Sequence, residues 1–256
     1  MIDLAIADGI ARVTLNAPDK LNALDETALR DLAAAYSEAE AARVGALILT
    51  GAGRAFCAGR DIAEVDPATD DVDGYLGGLV TPLLRQIGAF PAPTFAAAQG
   101  ACLGVGLGLL LATDVVYVAE NAKIGSPFAA LGAVLDSGGH SLFVSRLGTH
   151  KTLDLIYTGR LMSGSEAVAS GLFSRSLPAE DLPGAVDAAA ATVASGARQA
   201  LLASKRIVAA LRDGELGMWD AVAAENAAQT ALRDTADYHE GFAAFREKRP
   251  PHFTGH

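Results

Sequence analysis

The sequence is poor in several features that mark well-known protein classes. Cysteine occurs only at Cys57 and Cys102, so the chain lacks the disulfide framework that staples small secreted domains. No apolar run approaches the roughly 18 to 20 residues needed to span a bilayer. The first residues lack a basic start and are interrupted by Asp3 and Asp8, which argues against a signal peptide. We therefore expect a soluble, cytoplasmic protein with no membrane partner.

Positive charge is also scarce. The 20 Lys and Arg residues are outnumbered by 30 Asp and Glu residues, and the formal net charge is −10. Such a surface repels nucleic acid, and no basic stripe with interleaved aromatic residues offsets it. Two small basic clusters occur, Arg54 with Arg60 and Arg246 with Lys248 and Arg249. Clusters of this size are more often a solvated face than an anion-binding site.

The patterns of several catalytic classes are missing as well. The five histidines share no ligand spacing, so we expect no metal site. No G-x-S-x-G string is present to form the nucleophile turn of a serine hydrolase. The glycines at 104, 106 and 108 do not have the G-x-G-x-x-G spacing of a dinucleotide site. Apolar residues, in contrast, make up 51% of the chain, and this predicts a folded protein with a large core.

Apolar runs alternate with helical patterns along the first two thirds of the chain. Asp8-Gly9 between two apolar runs predicts a β-hairpin, and Asp25 predicts the N-cap of the following helix. Short buried strands are predicted at 46–50, 94–98 and 115–119. This order predicts an α/β fold whose functional residues lie on the loops after the strands.

The remaining segments give weaker signals. Residues 66–74 predict an exposed loop and 75–90 a helix, whereas 123–132 predict a short strand and a turn. A helix is expected from the D-S-G-G sequence at 136–139 to Leu147. Ser163 and Glu166 have the spacing of a capping box, and 172–177 predict a strand. From Leu182 onward the pattern is almost purely helical.

Two glycine-rich loops follow predicted strands. One runs from Gln99 to Asp114 and contains four glycines, and the other contains Gly59 within 54–62. Free backbone N–H groups at such turns attract negative charge, so one N–H from each loop would form an oxyanion hole. The alternative interpretation is that the glycines only permit tight helix packing. Cys57, in the earlier loop, is interpreted as a small apolar filler.

Both loops resemble sequence fingerprints of the crotonase superfamily (enoyl-CoA hydratase/isomerase). Residues 47–51 (L-I-L-T-G) with 55–62 (A-F-C-A-G-R-D-I) resemble the first fingerprint, and 100–106 (G-A-C-L-G-V-G) with Asp114 resemble the second. Further positions that fit are Lys20–Leu24, Gly138-Gly139, Leu161–Ala167 and Glu240–Arg249. The resemblance covers nearly the whole chain and is strongest to single-aspartate, isomerase-like members.

The resemblance implies a spiral of repeated ββα units with a helical C-terminal region that forms trimers, often paired into hexamers. The corresponding division is a spiral core at 1–195, which holds the active site, and an oligomerisation region at 196–256. The implied ligand is a coenzyme A thioester, with coenzyme A entering as part of the substrate and no separate cofactor.

The resemblance also implies roles for particular residues. The backbone N–H groups of Arg60 and Val105 would form the oxyanion hole around the thioester carbonyl. Lys248 would contact a phosphate of coenzyme A from its own or a neighbouring subunit, the alternative being a solvated helix end. The other implied substrate contacts are Leu21, Ala23, Ala58, Asp61, Ile62, Gly104, Phe128 and Leu131.

The catalytic carboxylates of the family are where this chain departs from the pattern. The two glutamates of the hydratases fall at Gly108 and Phe128, and neither of these residues can act as an acid or a base. Asp136 occupies a nearby position at which isomerase-like members carry an aspartate. We therefore expect an isomerase that moves a double bond in an enoyl-CoA, with Asp136 as its acid and base.

Other interpretations remain open at this stage. Asp136 would activate water in a hydratase or a thioester hydrolase, or it would only cap the helix that follows it. His140 and Leu135 replace residues common in the family, which leaves a catalytically silent acyl-CoA-binding protein as a further alternative.

Overall fold

The structure is a computed structural model that describes residues 1–63 and 65–255. Within these residues the strands are β1 (Ile2–Ala7), β2 (Ile10–Leu15), β3 (Ala46–Gly51), β4 (Thr94–Ala98), β5 (Ala101–Leu103), β6 (Val115–Ala119), β7 (Lys123–Gly125), β8 (Met162–Ser163) and β9 (Arg175–Leu177).

The helices between and after these strands are α1 (Glu26–Ala41), α2 (Val72–Tyr75), α3 (Thr81–Gly88), α4 (Val105–Ala112), α5 (Gly139–Leu147), α6 (Thr149–Thr158), α7 (Gly164–Ala169), α8 (Leu182–Ala194), α9 (Arg198–Arg212), α10 (Met218–Leu232) and α11 (Ala236–Glu247). Pro18–Lys20 and Phe128–Leu131 form single 3-10 turns, and Leu76–Val80 is a π-helical segment that joins α2 to α3.

The larger sheet has six strands in the order β1-β2-β3-β4-β6-β9. Only the β1–β2 hairpin is antiparallel, and the predicted Asp8-Gly9 turn joins it with both residues at positive φ. The other neighbouring strands run parallel, and nearly all of β3 and β4 is buried, as expected for parallel strands covered on both faces. The predicted hairpin and the three predicted buried strands are therefore confirmed.

A second sheet of three short strands, in the order β5-β7-β8, lies beside the first. Strand β5 directly follows β4 and is followed by α4, so two consecutive strands in different sheets lead into one helix. Strands β6 and β7 repeat the arrangement before the next helix. The sequence did not predict β5, because three residues between glycines are too few to show an alternating pattern.

Several other segments differ from the prediction. Helix α6 was not predicted, the strand expected at 172–177 is only Arg175–Leu177, and α2 begins inside the expected loop 66–74. The capping box is half formed. Ser163 accepts a hydrogen bond from the Glu166 N–H, but the Glu166 carboxylate pairs with Arg160.

The predicted cap of α1 is confirmed, since Asp25 Oδ1 accepts a hydrogen bond of 2.7 Å from the Ala28 N–H. The C-terminal helices α9 to α11 confirm the helical pattern predicted after Leu182. Helix α9 is joined to the rest of the chain by Lys205, whose ammonium contacts the Phe90 carbonyl at 2.9 Å and an Asp114 oxygen at 2.8 Å. The division at 195 and 196 stays a prediction, and His256 at its end lies outside the described residues.

Candidate active site

The first glycine turn, residues 55–62, is held in place by the loop at 20–24. The buried Asn22 donates from Nδ2 to the Ala55 and Phe56 carbonyls at 2.8 and 3.1 Å. The backbone of the two segments also pairs, because Ala58 N donates to Leu21 O at 3.0 Å and Leu24 N donates to Gly59 O at 2.8 Å. A buried amide that satisfies several carbonyls makes this turn a rigid element.

The second glycine turn, which leads through β5 into α4, packs directly on the first. Cys57 N donates to Ala101 O at 2.9 Å, and Leu103 N donates to Cys57 O at 3.0 Å. The two turns are also in close contact at Gly59, where a Cβ atom would lie 2.9 Å from the Leu103 carbonyl oxygen. Glycine at 59 is therefore required for the two turns to meet.

The two N–H groups expected to form an oxyanion hole lie on these adjoining turns. Val105 is the first residue of α4, so its N–H has no acceptor within the helix. Arg60 bridges to Leu24, but that bridge uses the N–H of Asp61 and the carbonyl of Gly59. Among the described residues, no acceptor is found for the N–H of Arg60 or of Val105. Both donors are thus available to an external oxygen.

The side chain of Arg60 does not extend towards a ligand anion. Its guanidinium makes two hydrogen bonds to the Asp70 carboxylate, at 2.9 and 2.6 Å, and lies 4.1 Å from the centre of the Tyr75 ring. The Tyr75 hydroxyl in turn donates to the Leu24 carbonyl at 2.8 Å. Arg60 therefore joins the loop at 66–70 to the first glycine turn. The hydrogen bonds from Arg60 lower the pKa of Asp70, so its carboxylate stays ionised.

Asp136 is half-buried and lies in the chain between the 3-10 turn Phe128–Leu131 and α5. Its Oδ1 accepts a hydrogen bond of 2.7 Å from the Ser137 hydroxyl. Burial raises the pKa of the Asp136 carboxyl, and the Ser137 hydrogen bond opposes that rise because it stabilises the charged form. Burial raises the pKa of Tyr75, and the charge of Asp136 makes a smaller contribution to that rise.

The structure argues against Asp136 as a helix cap. Helix α5 begins at Gly139, and its N-cap residue is Gly138, which has no side chain to accept a hydrogen bond. The Asp136 carboxylate contacts Ser137, and only its backbone carbonyl accepts from the Gly139 N–H. The carboxylate therefore has no capping role.

The two positions of the missing glutamates are filled by other groups. A Cβ atom at Gly108 would overlap the Cβ of Ser137 and lie 2.9 Å from its hydroxyl oxygen. At the other position the half-buried Phe128 ring covers Gly104, where a Cβ atom would lie 3.1 Å from ring atom Cζ. An apolar ring and a serine thus occupy the space at the two positions where the resemblance implies carboxylates in a hydratase.

The other predicted contacts divide into two groups. Four of them are partly buried where the loop at 20–24 meets the first glycine turn, namely Leu21, Ala23, Ala58 and Asp61. Asp61 also forms an ion pair with Lys20 at 2.9 Å. Ile62 and Leu131 are large apolar residues that remain 52% and 63% exposed, as expected of side chains that would line an open ligand site.

Lys248 is set apart from these residues. It ends α11 in the left-handed conformation, with φ of 54°, and its side chain is exposed. Among the described residues, no hydrogen bond or ion pair joins it to either glycine turn. Its neighbour Arg249 is already paired with Glu240, whereas among the described residues the Lys248 side chain has no hydrogen bond or ion pair.

A cleft of about 1110 Å³ lies behind the Ser137 side chain. Gly108, Ser137 and Gly138 form one wall, and α3, α5 and α9 form the others. None of the residues predicted to contact the substrate lines this cleft, which adjoins the candidate site at Gly108 and Ser137.

Four residues of this region have contacts at the site that the sequence did not predict. They are Asn22, Asp70, Tyr75 and Ser137. Asn22 lies inside a matched motif, which is a signal that could have singled it out. Asp70 lies in a loop and Ser137 precedes a pair of glycines. Nothing in the neighbouring sequence indicates which residues they contact.

Similarity to known proteins identifies the family of this chain. The sequence pattern described as enoyl-CoA hydratase/isomerase matches residues 5–256. The chain belongs to the enoyl-CoA hydratase/isomerase family. This confirms the resemblance to the crotonase superfamily drawn from the two fingerprints, and it makes the chain a member of a family of acyl-CoA-processing enzymes.

Individual relatives span the whole chain. A protein of Rhodobacter capsulatus named as a probable enoyl-CoA hydratase is 34% identical over 98% of this chain and 96% of its own length. The 1,2-epoxyphenylacetyl-CoA isomerase of Escherichia coli is 31% identical over 98% and 97%. Relatives of this hydratase/isomerase family member therefore carry both kinds of name.

The crotonase-like fold is confirmed by solved structures. The enoyl-CoA hydratase of Bacillus anthracis superimposes with a TM-score of 0.90 at 28% identity, covering 100% of this chain and 99% of that one. Subunit I of an enoyl-CoA hydratase from Geobacillus kaustophilus gives 0.89 at 29% identity, covering 100% and 98%.

Proposed function

We propose that this family member is an isomerase that moves a carbon–carbon double bond in an enoyl-CoA thioester, with Asp136 as its acid and base. The observation that carries the proposal is that, among the described residues of the site, Asp136 is the carboxylate without an ion-pair partner. It is half-buried and accepts a hydrogen bond from Ser137, whereas Gly108, which packs on Ser137, and Phe128 stand at the positions where the resemblance expects glutamates. One carboxylate is enough to carry a proton from one carbon to another, but hydration requires a separate base and acid.

The proposed reaction begins with the thioester carbonyl oxygen accepting hydrogen bonds from the Arg60 and Val105 N–H groups. The Asp136 carboxylate removes a proton from the carbon next to the carbonyl, and the electron pair moves into a dienolate. The two N–H groups stabilise the negative oxygen, an effect typically worth about 2.7 to 4 kcal/mol per donor. The protonated Asp136 then returns the proton at the far end of the dienolate, so the double bond becomes conjugated and no water is consumed.

The surroundings of Asp136 suit this double role. An aspartate in water is a weak base, and burial raises the pKa of Asp136 above its ordinary value. The buried Leu135 precedes it, and the Phe128 ring lies at the adjoining Gly104. A higher pKa makes the carboxylate a better proton acceptor and the carboxylic acid easier to form.

We further propose how the substrate is held. Coenzyme A would enter as part of the substrate, along the backbone at Leu21, Ala23, Ala58, Asp61 and Ile62, with Gly104, Phe128 and Leu131 beside the acyl group. Lys248 would meet a phosphate of coenzyme A in its own or a neighbouring subunit. The exposed apolar side chains of α10 and α11 would join the chains into a trimer or a hexamer.

The test is to present a 3-enoyl-CoA and follow the appearance of the conjugated thioester by its absorbance. We expect turnover by the wild type and a loss of about 10²- to 10⁴-fold in kcat for Asp136→Asn. The matched control is Asp31→Asn, the same change at an exposed position of α1, which should leave kcat unchanged. An Asp136→Asn enzyme with unimpaired turnover would contradict the proposal.

The alternative activities are separated by two further assays on the same preparation. Loss of absorbance from a 2-enoyl-CoA would indicate hydration, and release of a free thiol would indicate thioester hydrolysis. Tight binding without any product across a panel of thioesters would indicate a silent binding protein. Each of these results, in the absence of isomerisation, replaces the proposed function.

A further inference from the structure

Ser137 and Gly108 occupy space that only one side chain can fill. Gly108 lies in α4 with its Cα directed at Ser137, and a Cβ atom added there would overlap the Ser137 Cβ. The same hypothetical atom would lie 2.9 Å from the Ser137 hydroxyl oxygen and 3.6 Å from the Ser137 carbonyl oxygen. A residue larger than glycine at 108 is therefore incompatible with the observed position of Ser137.

The backbone at Ser137 is unusual in a way that fixes where its side chain goes. Ser137 has a φ of 55° and the following Gly138 a φ of 80°, so two consecutive residues are left-handed. A non-glycine residue in this region costs about 1 to 2 kcal/mol and is kept only where the surroundings require it. The turn closes through a 2.9 Å hydrogen bond from the Gly139 N–H to the Asp136 carbonyl. The result is a tight bend that brings the Ser137 hydroxyl to Asp136.

From this geometry we infer that Ser137 is a positioning residue, which holds Oδ1 of Asp136 and leaves Oδ2 directed to the substrate, and that Gly108 is glycine in order to make room for it. The inference rests on the proposed role of Asp136. It also links two features of the site. A glutamate at 108 in α4 would exclude Ser137, so the glycine at 108 and the Asp136 held by Ser137 depend on each other.

Four other titratable groups bear on the charge at Asp136. Burial raises the pKa of Tyr75, and the Asp136 charge makes a smaller contribution to that rise, while Arg60 lies 4.1 Å from the centre of the Tyr75 ring and is paired with Asp70. His140 is exposed on the first turn of α5. None of these groups donates a hydrogen bond to Asp136, so within the described residues the Ser137 hydroxyl is the donor that favours its ionised form.

The first test replaces the hydroxyl and follows activity against pH. In Ser137→Ala we expect kcat/KM for the 3-enoyl-CoA to fall about tenfold to a hundredfold, mainly through kcat, because Asp136 is no longer held in one orientation. The acidic limb of the pH profile should move to higher pH, since the hydrogen bond that lowers the Asp136 pKa is gone. If the maximal kcat/KM falls but the acidic limb stays at the same pH, the inference is overturned, because this is the result expected if the Ser137 hydroxyl has a purely structural role.

The second test is a double-mutant cycle between the two positions. Gly108→Ala alone should lower kcat/KM about tenfold or more, because its methyl group displaces Ser137 and with it Asp136. In a Ser137→Gly background the space is empty, and the same Gly108→Ala change should cost less than about twofold. Gly184→Ala in α8, where nothing lies within 4 Å, is the matched control and should leave kcat/KM unchanged in either background. Equal effects of Gly108→Ala in both backgrounds would refute the coupling.

A third measurement separates failure of this inference from failure of the proposed function. The carboxyl carbon of Asp136, followed by NMR, reports the pKa of Asp136 whether or not the protein turns over any substrate. A higher pKa in Ser137→Ala supports the inference even if no isomerisation is found. An unchanged pKa overturns it even if the wild type is an active isomerase.

Discussion

The two parts of the chain are stabilised in different ways. In the first 195 residues, strands β3 and β4 and helix α4 are almost wholly buried. In the last three helices, α9 has no buried residue, α10 has one and α11 has two. The first part makes its own hydrophobic core. The second part presents large apolar side chains to solvent, among them Trp219 and Phe245 at 77% and 84% exposure, and this is the pattern of a surface that another chain covers.

This difference predicts where substitutions will be felt. In the first part, tight backbone contacts between distant segments determine the site, so single atoms matter for folding. In the C-terminal helices, few contacts within the chain constrain the side chains, so the same kinds of change should affect association or remain nearly silent.

The largest effect is expected for Gly100→Ala. Gly100 has a φ of +58°, and a Cβ atom would overlap the Arg54 carbonyl oxygen. We expect a loss of about 4 kcal/mol or more in the free energy of unfolding, measured by urea denaturation. The matched control in the C-terminal region is Gly214→Ala, where φ is +75° and nothing lies within 4 Å. That change should lower the free energy of unfolding by only about 1 to 2 kcal/mol, the cost of a left-handed backbone conformation for alanine. Equal losses of stability at both sites would contradict the contrast between the two regions.

A smaller but still substantial effect is expected for Asn22→Ala. The buried Asn22 amide is hydrogen-bonded to the Ala55 carbonyl and accepts from the Ala17 N–H at 2.8 Å. Removing it leaves buried polar groups without partners, which should lower the free energy of unfolding by about 3 kcal/mol. Asn16→Ala, at an exposed hydrogen bond to Asp3, is the control and should cost less than about 0.5 kcal/mol. A small effect at Asn22 would mean that the loop at 20–24 does not hold the first glycine turn.

Substitutions of exposed apolar residues in the C-terminal helices should act on association instead. We expect Trp219→Ala and Phe245→Ala each to weaken self-association about tenfold or more, measured by analytical ultracentrifugation over a range of concentrations. The control is Ile6→Ala, an apolar residue of β1 at 42% exposure, which should not change the assembly. A wild-type chain that stays monomeric at high concentration would contradict the interpretation of this surface.

The smallest effect concerns the final segment, which docks on α11 through charge. Arg249 and the His252 N–H both contact Glu240, and they lower the pKa of Glu240 from 4.5 to about 2. The docked form is therefore favoured above the ordinary carboxyl range, and this contribution is lost progressively as pH falls from 4.5 to about 2. By NMR we expect no titration of Glu240 above about pH 3 in the wild type and a return towards 4.5 in Arg249→Gln. A wild-type Glu240 that titrates near 4.5 would show that the segment is undocked.

Local patterns were sufficient for much of the fold. The Asp8-Gly9 hairpin, the Asp25 cap and the buried strands depend on neighbouring residues, and all were predicted from the sequence. The two glycine turns were also recognised, because glycines at fixed intervals after a strand are visible in a single segment. Helix α6 and strand β5 were missed because their patterns are short or weak.

The site was predicted less completely, because its parts come from distant segments. The pattern identified Asp136 and the two turns, but not that Arg60 pairs with Asp70 across the first turn. It offered a capping role for Asp136 that the position of Gly138 excludes. It offered close packing as one interpretation of the glycines that include Gly108, but it did not identify Ser137, from another element, as the residue that packs there.

The amino-acid sequence by itself determined the family, the order of the elements and the absence of carboxylates at 108 and 128, since these are properties of residue identity and local spacing. Tertiary structure alone decided that Asn22 joins the loop at 20–24 to the first glycine turn, that this turn meets the second at Gly59, and that Ser137 fills the space beside Gly108 to hold Asp136. The physical reason is that hydrogen bonds and steric exclusion act between atoms that are close in space, and folding brings these atoms together from segments far apart in the chain.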